Sequence, residues 1–316
     1  MNNPSPVDIY KNRIEKLSIE CKVLARKKEW IAWGRLIAIL VAGVAVYFLK
    51  NLNLLLAIGA ATMCIAAFFR LVIIAVNTSE KINNLNRLLA INQQEIDIAS
   101  GKYFDLPNGS IYLSPTHHYA NDLDVFGQAS LYQYINRSTS EQGNQSLAKW
   151  LLAPADTSTI IQRRQAAKEL QPMYKWRQQL QSYGNAEPVT LATQQKIKTW
   201  LQNESSFFTN PFWKWIRFVG PVIIITILAF YIDDKLATKW FNLSLLIFFL
   251  ITGYISKRVT PTYNILGKIA PEIATLSNSI RHIENQQFET PWMQRQQLNF
   301  INKDVKASSI VKTLNG

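Results

Sequence analysis

Two apolar runs, Trp30 to Leu49 and Leu52 to Val76, stand back to back with only Lys50-Asn51 between them, and no other feature limits the fold as strongly. Each reaches the roughly 20 residues that carry a helix across a bilayer. A backbone in lipid must satisfy its own hydrogen bonds, so both runs are read as helices. The short break makes them a hairpin that returns the chain to its starting side. Arg26-Lys27-Lys28 lies just ahead of the first run. In that position it reads as an orientation signal holding the N-terminus in the cytoplasm, not as a nucleic-acid patch. Arg35 and Arg70 fall near the cytoplasmic ends of the two helices, where long side chains reach the headgroups.

A second apolar pair, Phe212 to Ile232 and Trp240 to Ile255, is separated by Asp233 to Lys239. Trp213, Trp215 and Trp240 sit at run ends, where indole rings favour the interface, and Lys257-Arg258 follows closely. The expectation is a multi-pass protein of an inner, cytoplasmic membrane, with four crossings, the lipid bilayer as a partner, and both termini and all soluble parts cytoplasmic. Few polar residues line the runs apart from Thr62, Asn242, Ser244 and Thr252, which argues against a transport pathway. The two cysteines, Cys21 and Cys64, give no disulfide framework and fit a reducing compartment.

The formal charge of +13 is spread along the chain. A nucleic-acid footprint concentrates its charge on one face, so composition alone points to the membrane. The three histidines, His117, His118 and His282, have no zinc spacing, and the His117-His118 pair reads as structural. Thr78-Ser79 is read as the cap of a cytoplasmic helix carrying Ile82, Leu85, Leu88, Leu89, Ile91 and Ile96. Gly101 to Thr116 reads as turns with one short hairpin. Thr139 and Gln142 have capping-box spacing, and Leu147, Trp150 and Leu151 form the face that the following helix would bury. Pro154 ends that helix, and Asp156 to Thr159 supplies caps for the next one. Pro271 predicts a kink or restart in the helix that carries Ile265, Ile269, Ile273 and Leu276. Phe300 to Leu314 reads as a further helix that stops as if interrupted.

Asp122-Leu123-Asp124-Val125-Phe126-Gly127, Ser130-Leu131, Asn136-Arg137, Gly143, Leu147, Trp150-Leu151, Pro154, Ile160 and Arg163-Arg164-Gln165-Ala166 occur in an order of their own. This stretch of about fifty residues resembles the start of the core (lever) domain of MutS-type DNA mismatch-repair proteins. That family has an Arg-Thr-x-Thr-x-x-Gly turn. Here Arg137-Ser138-Thr139-Ser140-Glu141-Gln142-Gly143 places Ser at both Thr positions, which keeps the hydroxyls. The resemblance implies a helical core and, in the complete family protein, DNA binding, ATP and Mg as cofactors, and a homodimer. The mismatch-reading domain that precedes the core in the soluble family has no counterpart, since two apolar runs occupy its place.

The fold class expected is therefore all-α: two transmembrane helical hairpins plus a cytoplasmic MutS-core-like helical domain. Residues 1–29 form a cytoplasmic amphipathic helix, 30–76 the first hairpin, 77–211 the MutS-core-like region, 212–255 the second hairpin, and 256–316 a continuation of the core. The expected function is the anchoring and lever part of a membrane-anchored MutS-like protein. The alternative is a membrane scaffold that uses its helical core for protein contacts without a DNA role. No residue is nominated as catalytic, cofactor-binding or metal-ligating, and no nucleic-acid contact residue is assigned. Gly101-Lys102 and Gly267-Lys268 lack both the following hydroxyl and the preceding glycine of a phosphate loop. The 316-residue chain alone is thus expected neither to bind ATP tightly nor to hydrolyse it. Calorimetry on the purified chain checks this, and micromolar ATP binding would contradict it.

Overall fold

The computed structural model describes residues 5–49, 54–193, 237–302 and 305–307, together with a few positions between 195 and 231. The described residues are predominantly helical. The chain divides into two compact units, Met1–Pro188 with Asn278–Ser308, and Val189–Ser277 with Ser309–Gly316.

The first unit is built on two helices of uncommon length, α1 (Pro6–Leu49, 44 residues) and α2 (Leu54–Ala99, 46 residues). At 1.5 Å per residue each spans about 65 Å or more. They pack antiparallel in one register. Cys21 Sγ donates to Asn86 Oδ1 at 3.4 Å. Seven residues further along α1 and seven back along α2, Lys28 Nζ donates to Ser79 Oγ at 3.1 Å. Beyond that, a Cβ built on Gly34 would lie 3.5 Å from Leu71 Cδ1. Leu17, Leu85 and Leu88 form the buried cluster of the polar half of this pair.

Both helices run unbroken across the boundary between polar and apolar sequence. Thr78 does not cap a new helix: it is buried, and its Oγ1 donates to Ile74 O one turn back at 2.7 Å. A mid-helix threonine that satisfies its hydroxyl this way gives the chain no reason to start afresh. The short cytoplasmic helices expected on either side of the first apolar pair are instead the outer halves of α1 and α2. Lys50 to Asn53 lie outside the described residues.

Turns occupy residues 100–130, with a 3₁₀ segment at Ser110–Tyr112 in place of the expected hairpin. Helices α3 (Leu131–Ile135), α4 (Glu141–Leu152), α5 (Thr157–Leu170) and α6 (Tyr174–Gly184) follow. Gly109 has φ +68, and a Cβ there would lie 2.6 Å from Tyr132 Cδ1 and 2.9 Å from Phe126 Cδ1, so both backbone and packing demand glycine. Ala120, Val125, Phe126, Tyr132 and Ala148 form the core of this module. Burial pushes the Tyr132 hydroxyl up to about 12.

Ser140, not Thr139, caps α4, accepting from Gly143 N at 3.1 Å. Asp156 caps α5 through Thr159 N at 3.0 Å. Hydrogen bonds from the Ser158 and Thr159 side chains hold its carboxyl well below the usual range. The buried face of α4 is rotated from the one expected. Leu147, Leu151 and Leu152 pack on the core with Ala148 beneath, whereas Trp150 is 50% exposed with the Arg163 guanidinium 4.0 Å from its ring centroid. An indole covered by a cation needs no hydrophobic pocket.

Helix α7 (Thr238–Glu284) runs through Pro271 without restarting. Its end from Asn278 belongs to the first unit, as does α8 (Pro291–Leu298). Thr290 stands at the N-cap position of α8 without a side-chain capping bond, and the Glu169 carboxylate accepts from Glu289 N at 2.6 Å, Thr290 N at 3.0 Å and Thr290 Oγ1 at 2.5 Å. Burial raises the Glu169 carboxyl, and these three donors outweigh it and lower it overall. The expected helix from Phe300 onwards is replaced, over the residues described, by an antiparallel pair. Ile301 lies opposite Lys306, and Asn302 opposite Val305.

In the second unit, Thr190 and Thr193 each accept the other's backbone N–H, at 3.3 and 3.2 Å. The buried Thr193 hydroxyl donates to the Glu272 carboxylate on α7. Two helical stretches are long and apolar enough to cross a membrane, Thr62–Ala99 in the first unit and Thr238–Lys257 in the second. Their most apolar windows are only 11% and 0% buried. The run expected at Phe212 to Ile232 lies largely outside the described residues.

Gln133, fully buried, holds the turn region to α3. Its Nε2 donates to Phe104 O at 2.8 Å and Leu106 O at 2.6 Å, and its Oε1 accepts from Ala129 N at 2.8 Å. Truncation to Ala strands three backbone groups, so Gln133→Ala is expected to lower unfolding stability by about 3 kcal/mol. Denaturant titration in detergent measures this, and a loss below about 1 kcal/mol would show that the turns hold themselves.

Candidate functional site

Helix α6 is the wall around which the polar groups of the first unit gather. Its face at Gln178 and Ser182, one turn apart, is buried against α2. Asn92 Nδ2 donates to Gln178 Oε1 at 3.2 Å, and Gln178 Nε2 returns a bond to Asn92 Oδ1 at 2.8 Å. The same exchange joins Asn84 and Gln179 at 3.4 and 3.0 Å, and Ser182 Oγ donates to Asn84 Oδ1 at 2.9 Å. Gly184 lets the end of α6 approach the Ser138-Thr139-Ser140 turn, because a Cβ there would fall on the Thr139 side chain.

Between the start of α1, the end of α2, the Arg137–Ser140 turn and α6 lies a cleft of about 410 Å³. Its charged centre is a fork-on-fork ion pair. Arg137 Nε donates to Glu95 Oε1 at 2.6 Å and Nη2 to Glu95 Oε2 at 3.2 Å. The remaining Nη1 donates to Tyr134 O at 2.7 Å and Asn136 O at 3.0 Å. Arg137 is thereby committed to closing the turn. Tyr10 faces this pair. Burial and then the Glu95 charge raise its hydroxyl above the ordinary value, with Arg177 and Arg137 acting against them. The hydroxyls of Ser138, Thr139 and Ser140 complete a lining that offers hydrogen bonds in several directions. The one carboxylate of this lining, Glu95, is already paired with Arg137.

On another side of α6 the Trp176 ring stacks on His282, with centroids 5.1 Å apart and planes 13° from parallel. Phe288 and Tyr183 meet these rings edge-on. His282 Nε2 lies 3.0 Å from Trp176 O, so it carries the proton and donates.

His117 is structural in its contacts. Its Nδ1 accepts from Ala120 N at 3.3 Å, and this leaves Nε2 to donate to Leu152 O at 2.9 Å. The ring fastens the turns to the end of α4, with both nitrogens used. Among the described residues no group of three His, Cys, Asp or Glu side chains is set to hold a metal ion. Cys21 and Cys64 are free thiols. Sequence reasoning singled out Arg137 through its motif but not its partner Glu95, 42 residues earlier. Asn84 and Asn92 carried the only available signal: they share a helical face with Leu85, Leu88 and Ile91, where a polar residue needs a partner.

No protein-family model, curated protein or solved structure matches the chain.

The His282 environment makes a pH prediction. Burial lowers its pKa below 6.5, with the bond to Trp176 O opposing. A depressed histidine contributes stability that is present above its unfolded value and lost as pH falls through its folded value. Stability in detergent should therefore decline as pH falls from about 7 into the acidic range, and His282→Phe should flatten that decline. Parallel slopes for the two proteins would show that His282 is not the group responsible.

Proposed function

We propose that the chain is an integral membrane protein in which the α1–α2 hairpin anchors and displays a MutS-like lever module at the cytoplasmic surface. One observation carries the anchoring. In the paired register, and with Arg35 and Arg70 the exceptions, the charges of α1 end at Lys28-Glu29 and those of α2 resume at Glu80, so both helices change from apolar to polar at nearly a single level. Past that level most of the large apolar side chains of α1 point outward. Trp30 is 77% exposed and Phe48 65%, while the less exposed positions of that stretch are Gly34, Ala38, Ala42 and Ala45 together with Ile31 and Arg35. Small residues inside and large apolar ones outside is the arrangement of helices packed in lipid, where close backbone approach replaces the hydrophobic effect. From Trp30 to Leu49 is about 28 Å of helix, which matches a hydrocarbon core of about 30 Å. Helix α7 supplies a further crossing at Thr238–Lys257, and the run Phe212 to Ile232 completes the second pair.

The MutS-like part of the reading is supported by the residue order from Asp122 to Ala166. In this reading the complete protein couples DNA binding to ATP hydrolysis, and this part supplies anchor and lever helices. The second reading, a scaffold for protein contacts, is favoured by the apolar side chains that the module exposes: Leu123, Leu131, Tyr134, Ile160 and Ile161.

Topology is tested by single cysteines, in a cysteine-free background, at Asn51, Thr238 and positions within 121–170. In intact cells an impermeant maleimide should label the first two and spare the module. Labelling of the module from outside would overturn the orientation, and extraction of the chain by alkaline carbonate would overturn the anchoring.

A further inference from the structure

The sequence Tyr-Lys-x-Arg occurs twice, as Tyr10-Lys11-Asn12-Arg13 on α1 and as Tyr174-Lys175-Trp176-Arg177 on α6. Residues three apart share a helical face, so each Tyr stands beside its own Arg. The fold brings the two pairs together at the cleft. Tyr10, Tyr174 and Arg177 line it, and the Arg13 guanidinium stands over the Tyr174 ring, 5.7 Å from its centroid. In return the Arg177 charge reaches the Tyr10 hydroxyl.

The charge of this arrangement is unbalanced. Arg137 takes both oxygens of Glu95, whereas Arg13 and Arg177 have no carboxylate partner among the described residues. Arg13 Nε is buried without a hydrogen-bond partner, and Arg177 Nη2 donates to Gln171 O at 3.3 Å. Helix α6 carries no acidic residue, and the exposed Lys11 and Lys175 add to the positive charge. On α1 the nearby acids Asp8 and Glu15 are exposed and do not line the cleft.

We propose that this cleft, which neither reading of function assigns, binds a small soluble phosphomonoester carrying an aromatic ring, its phosphate held by Arg13 and Arg177 and its ring laid against Tyr10 and Tyr174. A guanidinium over a ring keeps its N–H groups in its own plane, where they meet an oxyanion in a fork. A phosphomonoester carries about two negative charges at neutral pH, which two arginines match and a single carboxylate does not. At about 410 Å³ the cleft suits a small molecule, not a length of chain. Tyr10 stands about 27 Å along α1 from Lys28, out of reach of headgroups in the membrane reading, so the ligand is a soluble one.

The test titrates phenyl phosphate with the full chain in maltoside detergent and follows the phosphorus NMR line. Binding should saturate with a Kd on the order of 0.1–1 mM. Inorganic phosphate, which lacks the ring, should bind about fivefold more weakly. Arg177→Gln and Arg13→Gln should each weaken phenyl phosphate about tenfold, and Tyr10→Phe, which removes a hydroxyl and no charge, about threefold. Lys149→Gln, at the far end of α4, should change nothing. Failure to saturate by about 10 mM, equal affinity for inorganic phosphate, or unchanged affinity in Arg177→Gln would each overturn the site. An equal loss in Lys149→Gln would also overturn it, since that marks general charge attraction. Should Arg13→Gln lower the unfolding midpoint, Arg177→Gln and Tyr10→Phe decide the matter between them.

Discussion

The register between α1 and α2 is the constraint on which the remaining features of the first unit depend. Polar contacts at Cys21 and Asn86 and at Lys28 and Ser79 fix it, and the near contact of Gly34 with Leu71 continues it into the apolar half. A slip of one turn would move one helix's polarity boundary by about 5 Å relative to the other.

Polar side chains of medium length do much of the joining in this unit. Asn84 and Asn92 bind Gln178, Gln179 and Ser182, Gln133 holds three backbone groups, and Glu169 secures the start of α8. The bonds joining α2 to α6 are between neutral amides and a hydroxyl, which satisfy each other without the desolvation cost of a buried ion pair. Their strength is accordingly insensitive to salt. The one ion pair among the described residues, Glu95 with Arg137, is partly exposed in the cleft.

The helical class was legible because apolar runs of membrane length and leucines at helical spacing leave the backbone few other options. Continuity was less legible. Thr78 has the chemistry of a cap, and only the neighbouring turn shows that its hydroxyl bonds backwards instead. Trp150 fell on the apolar side of a helical projection, yet the ring is held by Arg163 from the next helix, a contact that spacing within α4 could not reveal. The antiparallel pair at Ile301 and Val305 was hidden because two residues of strand carry no period. The cleft was the least visible part, since its lining comes from α1, α2, α6 and the turn at Arg137, which meet only after the chain has folded.

The unbroken course of α1 has a mechanical meaning. In the proposed arrangement the segment Pro6 to Glu29 is a stiff rod of about 36 Å standing outside the hydrocarbon, continuous with the part embedded in it. Helices answer a change in bilayer thickness by tilting, and a tilt of about 10° sweeps the far end of such a rod through about 6 Å. With no joint at Trp30 to absorb the rotation, strain in the lipid is delivered directly to Tyr10 and the cleft it lines.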